Sequence, residues 1–395
     1  MNAPLDPTTG SLVLPGSSAA DLLQLVRTGQ ATTRAELRRL TGLSRTAIVT
    51  RVSALVDSGL LQLGEELPST GGRPPGALVF NQDAAVVVAA AIGRSRSQLG
   101  IFDLDGRELV GDTRDHEVGI GPDELMPAVV ERLGKLLVGI EPPVAGIGMS
   151  LPGSVDPVRG ASVDSPIMGR WEGIELAPYL ADVCPAPLLV ANDTEALARS
   201  ELFPSSSVRD LLVVKASTGL GMSTVSGGRI VTGRVGTTGE IGHTRVPDAD
   251  GLVCRCGATG CLETLAGGWA LAQRLTASGR PATHVRDLVA LALEGDAVAR
   301  GLMRDAGRHV GEVLAVAVNL LNPQAIVIGG DLASAFDLFV AGIRESVYAL
   351  ATATAVRDLQ FLPAAHGDSA GLVGCAALAI EHSLRPAAVE ARINP

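Results

Sequence analysis

The stretch from Glu240 to Glu263, EIGHTRVPDADGLVCRCGATGCLE, holds one of the six histidines and three of the five cysteines of the chain. It is too short and too rich in Gly, Pro and Asp to hide them in a core. Zn²⁺ takes four soft or borderline ligands in a tetrahedron, and His243, Cys254, Cys256 and Cys261 supply a Cys₃His set. Cys254 and Cys256 are closer than the usual C-x₂₋₄-C knuckle. Gly257 and Gly260 provide the positive φ that lets Cys261 fold back onto the same ion. A disulfide or free thiols are the competing readings. With no signal-peptide pattern, a reducing cytoplasm is expected, and structural zinc is the expectation. Glu240 lies three residues before His243 and Glu263 two after Cys261, so the clasp would hold both carboxylates in place. Fixed acceptors suit a polyhydroxylated ligand, because each buried hydroxyl left unpaired costs roughly 1–3 kcal/mol. On composition alone, two solvated surface acids fit equally well.

Composition bounds the class. With 395 residues, 46% hydrophobic and 19% charged, the chain can bury two or three cores. No apolar run approaches the ~20 residues of a membrane span, so no membrane partner is expected. The net charge of −10 argues against a chain that coats nucleic acid along its whole length. Between Asp21 and Leu60, however, six arginines face three acids, so a small basic module precedes a larger acidic one. Residues 1–16 lack an apolar pattern and are expected to be a disordered tail.

From Ala20, the apolar stripe Leu22, Leu23, Leu25 and Val26 predicts a helix ending at Gly29. Thr33-Arg-Ala-Glu36 is a capping box that starts a second helix, and Thr41-Gly42-Leu43 is a tight turn. Ser44 caps a third helix, whose Ile48, Val52, Leu55 and Val56 face inward. Arg45, Thr46, Val49, Thr50 and Ser53 then face outward. An ordinary three-helix bundle has the same spacing. What favours a winged helix-turn-helix over residues 17–70 is the strand-like Leu60-Leu-Gln-Leu63, an acidic tip and Gly71-Gly-Arg-Pro-Pro75. Residues 71–81 read as a linker. The expected partner is operator DNA, with contacts from Ser44, Arg45, Thr46, Thr50, Arg51 and Arg73.

Beyond the linker, Ala85 to Ile92, Gln98 to Leu104 and Glu108 to Val110 read as a buried strand followed by a hairpin. The same succession returns at Leu211 to Val214, Met222 to Val225 and Arg229 to Val231. Such a duplication predicts two similar α/β lobes with a ligand cleft between them.

At these residues the chain resembles the ROK family of sugar kinases and sugar-responsive repressors. The likeness runs from about Leu22 to Glu381 and rests on Glu240-Ile-Gly-His243 and on the CxCGxxGCxE pattern from Cys254 to Glu263. It implies an N-terminal winged helix-turn-helix (α+β), then a two-lobed α/β domain of actin-like, ribonuclease-H-like ATPase fold over 82–395. Lobe 1 would span about 82–193 plus a C-terminal helix at 369–386, and lobe 2 about 194–368. The resemblance implies a sugar-binding set of Gly153, Asn192, Asp193, Glu240, His243 and Glu263, with His243 shared between sugar and zinc, and a homodimer or homotetramer. Taken alone, Asn192-Asp193 is an ordinary helix cap and Gly153 an ordinary turn.

The family's kinases carry Asp-x-Gly-Gly-Thr-Lys after the first strand. Here the stretch reads Ala91-Ile-Gly93-Arg94-Ser95-Arg96, and the second phosphate loop reads Ser217 to Ser223. Ala91, Arg94, Ser217 and Met222 thus replace residues that hold metal and phosphate, and no kinase activity is expected, with Asp193 a vestigial base. Ile328-Gly-Gly330 still resembles the nucleotide-side glycine pair, or merely ends a strand. The expectation is a sugar-responsive repressor. The alternatives are an active sugar kinase with a DNA-binding appendage and a repressor answering to a protein partner.

Overall fold

The computed structural model describes residues 18–66, 76–163, 170–204, 206–234, 236 and 238–394. The tail expected over 1–16, the tip of the expected wing and Arg73 lie outside the described residues.

Three helices open the chain: α1 (Ala19–Arg27), α2 (Arg34–Thr41) and α3 (Arg45–Asp57). Each starts on a side-chain cap that satisfies an otherwise orphaned amide: Ser18 with Asp21, Thr33 with Glu36, and Ser44 accepting from the Ala47 amide at 3.2 Å. Gly42, at φ +70°, ends α2 in a conformation that side chains resist. Strand β1 (Leu61–Glu66) then pairs antiparallel with β2 (Gly76–Phe80), Leu63 opposite Leu78. This corrects the expected linker over 71–81. Alternation in Gly76 to Phe80 buries Leu78 and makes residues 76–80 the second strand of the hairpin.

The remainder forms two sheets. The first has the order β5 (Glu108–Asp115), β4 (Arg96–Asp103), β3 (Val86–Ile92), β6 (Val144–Leu151), β9 (Leu188–Asn192), with helix α4 (Pro122–Leu137) between β5 and β6. The two-residue ladder of β7 (Val155–Asp156) with β8 (Ala161–Ser162), and the turn α5 (Ala177–Leu180), sit in the β6–β9 crossover. The second sheet has the order β12 (Arg229–Ile230), β11 (Leu220–Ser226), β10 (Leu211–Ala216), β13 (Ala325–Gly329), β14 (Gln360–Pro363). In both, a central strand pairs antiparallel with the hairpin on one side and parallel with a crossover strand on the other. The duplication read from the sequence is therefore a repeat of topology.

Two helices lie between the sheets. Helix α6 (Asp193–Leu202) follows β9 directly and packs on β10 and β11, while α13 (Ala370–Ser383) packs on β3 and β6. They cross so closely that a Cβ on Gly374 would stand 1.8 Å from the Ala196 carbonyl oxygen. The second lobe is completed by α7 (Glu263–Ala266), α8 (Gly268–Ala277), α9 (Val285–Glu294), α10 (Ala297–Leu321), α11 (Phe336–Leu350) and α12 (Ala353–Val356). The single C-terminal helix expected at 369–386 is two: α13 stops at Ser383 and Pro386 starts α14 (Pro386–Ile393).

Helix α14 docks the N-terminal module on the first lobe. One core runs from Leu22, Leu37 and Leu55 through Val87 and Phe102 to Ile380 and Val389. Arg392 ties the seam by donating to the carbonyls of Ala84 (2.9 Å) and Ser58 (3.4 Å). Among the described residues no single helix is long and apolar enough to cross a membrane. Helices α13 and α14 qualify only as a pair bent by 55°, and α13 is apolar because both lobes bury it.

Candidate functional site: a cysteine–histidine clasp beside an interlobe cleft

The cleft opens where strands of both sheets end, the place where open α/β sheets bind ligands. It is lined by Ala91 to Arg94 after β3, by Pro152 and Gly153 after β6, by Asn192 and Asp193 after β9, and by Ser217 to Met222 around the β10–β11 turn. Glu240, His243 and Glu263 close its far wall. All six residues expected to hold a sugar thus line one cavity, although 110 positions separate Gly153 from Glu263.

Their states differ. Asn192 Oδ1 accepts the Glu195 amide at 2.6 Å and caps α6, which occupies one of its lone pairs and leaves its NH₂ without a partner among the described residues. Asp193 Oδ2 receives the Lys215 ammonium at 2.5 Å. Lys215 was not singled out in the sequence, because a lysine near the end of a strand gives no local signal. Gly153 sits at φ +80°, a conformation glycine adopts without strain. Glu240 is open to the cleft on one side and flanked by protein on the others. This enclosure raises its carboxyl pKa; His243 opposes the shift, and the charges of Asp193 and Glu263 add to it. Glu263 is only 1% exposed, so the solvated-acid reading fails for it. Its Oε1 accepts the Trp269 indole N–H at 2.9 Å and its Oε2 the Leu220 amide at 3.1 Å. These bonds meet the cost of burying the carboxylate and hold it rigid.

Behind this wall, His243, Cys254, Cys256 and Cys261 place one donor atom each within 4.8 Å of one another. Cys256 Sγ lies 3.8 Å from Cys261 Sγ, and Cys254 Sγ lies 3.8 Å from His243 Nδ1. A disulfide needs an S–S distance of about 2.05 Å. A tetrahedral Zn²⁺ with Zn–S of about 2.3 Å would set the sulfurs about 3.8 Å apart. The donor set therefore fits a metal ion. Backbone bonds preform the clasp: the Cys254 amide donates to Ala258 O at 2.7 Å and the Leu262 amide to Thr244 O at 2.8 Å. Gly257 and Gly260 have φ of +87° and +82°, as the cysteine spacing required. Burial first, then the neighbouring thiols, push the Cys261 thiol up to about 12, so an ion must displace that proton to bind.

At the other end of the cleft, the β3–β4 turn is tight, with the Gly93 amide donating to Arg96 O at 2.7 Å. Ala91 presents no carboxylate there. Met222 is buried with the second-lobe core, and the Ser217 hydroxyl bonds Asp331. Gly330 cannot carry a side chain, since a Cβ would meet Ala216 O at 2.5 Å, so this glycine holds β13 against β10. A polar bridge also spans the lobes. Arg286 donates to Ser95 Oγ at 3.2 Å and reaches Asp115 at 3.4 Å, and His284 lies 3.3 Å from Ser95 Oγ. Burial lowers the His284 pKa. His284 could be read only as the N-cap of α9, since partners 189 residues away leave no local mark.

On α3, Ser44, Arg45, Thr46 and Thr50 are exposed on one face, while Arg51 is half-buried with its Nη1 enclosed.

The comparisons with known proteins agree with this architecture. Residues 87–382 match the sequence model of the ROK family. A xylose repressor of Bacillus spizizenii is 25% identical over 369 residues, which is 92% of this chain and 94% of the repressor. A solved ROK family transcriptional regulator, a homolog of the E. coli MLC protein, superposes with a TM-score of 0.79 at 25% identity, covering 96% of this chain and 98% of its own. A ROK family glucokinase from Streptomyces griseus, in complex with glucose and AMPPNP, reaches a TM-score of 0.64 at 26% identity, over 74% of this chain and 99% of the enzyme. The regulator's coverage is too large to omit the N-terminal helices. With about three quarters of its length inside the family match and both lobes superposing on family structures, this chain belongs to the ROK family.

Proposed function

We propose that the chain is a sugar-responsive transcriptional repressor with a carbohydrate-binding cleft and no kinase activity. The observation that carries this reading is the pairing of an intact sugar wall, Asn192 to Glu263, with Ala91 where a metal-binding acid would be needed. The relatives support it: the xylose repressor and the solved regulator match along nearly the whole chain, the glucokinase only over part of it.

In this reading Asn192, Asp193 and Glu240 hydrogen-bond the hydroxyls of the sugar, Gly153 lets the backbone approach it, and Glu263 stays in place through Trp269 and Leu220. Zn²⁺ is the ion for the Cys₃His set; when bound it supplies a structural crosslink, its four protein ligands leaving no open position for catalysis. His243 turns Nδ1 to the clasp and Nε2 toward Glu240, at 4.0 Å, and so ties the wall to the metal site. Helices α1–α3 and the β1–β2 hairpin follow the order of a winged helix-turn-helix, and α3 presents Ser44, Arg45, Thr46 and Thr50 to a major groove. Arg51 and Arg73 are the further DNA contacts in this reading, Arg73 to phosphate or the minor groove. A dimer would set two such helices about one DNA turn, ~34 Å, apart. A sugar that binds the closed cleft better than the open one would change that spacing, shifting the equilibrium between the two states by no more than its differential affinity for them.

The test is operator retention in a gel shift with and without a panel of sugars. Glu240→Ala is expected to keep DNA binding and lose the sugar response. If the variant responds as the parent does, the cleft is not the sensor. The competing reading, an ATP-dependent sugar kinase with a DNA-binding module, draws on Asp193 at the position of the catalytic base; ATP turnover that disappears in Asp193→Asn would establish it.

A further inference from the structure

A second cavity opens off the cleft and shares Arg94, Thr218 and His284 with it. Arg94 enters from the β3–β4 turn and Arg255 from the middle of the clasp, beside Trp269. None of the described residues lining this cavity is acidic. That is unexpected in a chain with 42 acids against 32 lysines and arginines, where Arg96, Arg132, Arg199 and Arg286 each close an ion pair. Arg94 closes none among the described residues, and its Nε is buried without a hydrogen-bond partner. The Arg255 guanidinium lies 4.5 Å from the Trp269 ring centroid, also without an ion pair among the described residues. Glu263 makes no ion pair with either one, its oxygens being engaged by Trp269 and Leu220, although its charge favours the protonated form of both arginines. Burial and the repulsion of Arg255 together bring the Arg94 pKa down to about 10.

We propose that Arg94 and Arg255 form an oxyanion subsite opening off the sugar cleft, so that the effector is a carbohydrate bearing a phosphate or carboxylate group. A guanidinium presents its N–H donors in a fork that matches such groups, and an anion between two guanidiniums removes their mutual repulsion while pairing the orphaned Nε. Neutral donors from Thr218 and Gln273 are at hand in the same wall. The arginine that fills the former phosphate loop thereby gains a function of its own. The proposal rests on the carbohydrate reading above, and the experiment separates the two.

Calorimetry is performed on the full-length, metal-loaded protein with glucose and mannose, each beside its 6-phosphate, with glucuronate and with inorganic phosphate. The acidic sugars are expected to bind at least about tenfold tighter than their neutral parents, with the margin shrinking as salt rises. Arg94→Gln and Arg255→Gln should each erase most of that margin while operator binding, which also reports on folding, stays as in the parent. Sugars that bind with no preference for an acidic group, or a preference that survives both substitutions, overturn the subsite and leave the sugar reading standing. Inorganic phosphate that binds through both arginines while no sugar binds keeps the oxyanion site and overturns its carbohydrate. Silence from every probe overturns both.

Discussion

The His243 imidazole faces the Cys254 sulfur with one nitrogen and Glu240 with the other, so in the proposed reading recognition and metal retention would meet in one side chain. Loss of the ion would free the ring that holds the cleft wall. Metal analysis is therefore expected to find about one zinc per chain, falling steeply in Cys256→Ser, with sugar affinity lost in parallel. An unchanged zinc content in that variant would refute the ligand set. Acidification should act in the same direction: thiolate and neutral imidazole are the metal-binding forms, so lowering pH returns protons to the donors and zinc is released. Chelator-accessible zinc measured across pH reads this, and it should rise as pH falls.

At the scale of elements, α3 and the α6–α13 crossing make separate demands. The exposed face of α3 carries Arg45 with no acidic partner among the described residues, and Arg45→Ala is expected to weaken operator binding by roughly 1–3 kcal/mol. Equal loss on unrelated DNA would reassign Arg45 to the phosphate backbone. In the crossing, α6 begins at Asp193 in the cleft and Arg199 on the same helix pairs with Glu195 and with Glu381 of α13. Gly374 permits this contact, and Gly374→Val should cost about 1–3 kcal/mol in denaturant unfolding, since the Ala196 carbonyl cannot withdraw without moving α6. A neutral result would mean that the helices separate easily.

For the whole molecule, the apolar seam under α14 makes the N-terminal module part of the first lobe rather than a tethered appendage. Val389 is 1% exposed between them. Val389→Asp places a charge in that seam and is expected to cost about 3 kcal/mol or more, with operator binding lost and sugar binding kept. If both functions survive, the seam does not couple the modules. The same continuity joins the cleft to the N-terminal helices, from Asp193 through α6 and α13 to α14 and the helices packed on it.

The sequence by itself determined most local elements and the clustering of His243 with the three cysteines, because capping boxes, strand alternation and the spacing of Cys254, Cys256 and Cys261 are physical constraints that act within a few residues. The duplicated strand–hairpin pattern showed the two lobes for the same reason. Only the tertiary structure decided that Lys215 pairs with Asp193 and that His284 and Arg286 reach Ser95, since these partners lie 22 to 191 residues away and local sequence marks His284 only as a helix cap. It also decided that Glu263 is buried and held rather than solvated, and that Gly76 to Phe80 is a strand rather than a linker. Burial and strand pairing depend on which distant surfaces meet, and a one-dimensional pattern carries no record of that.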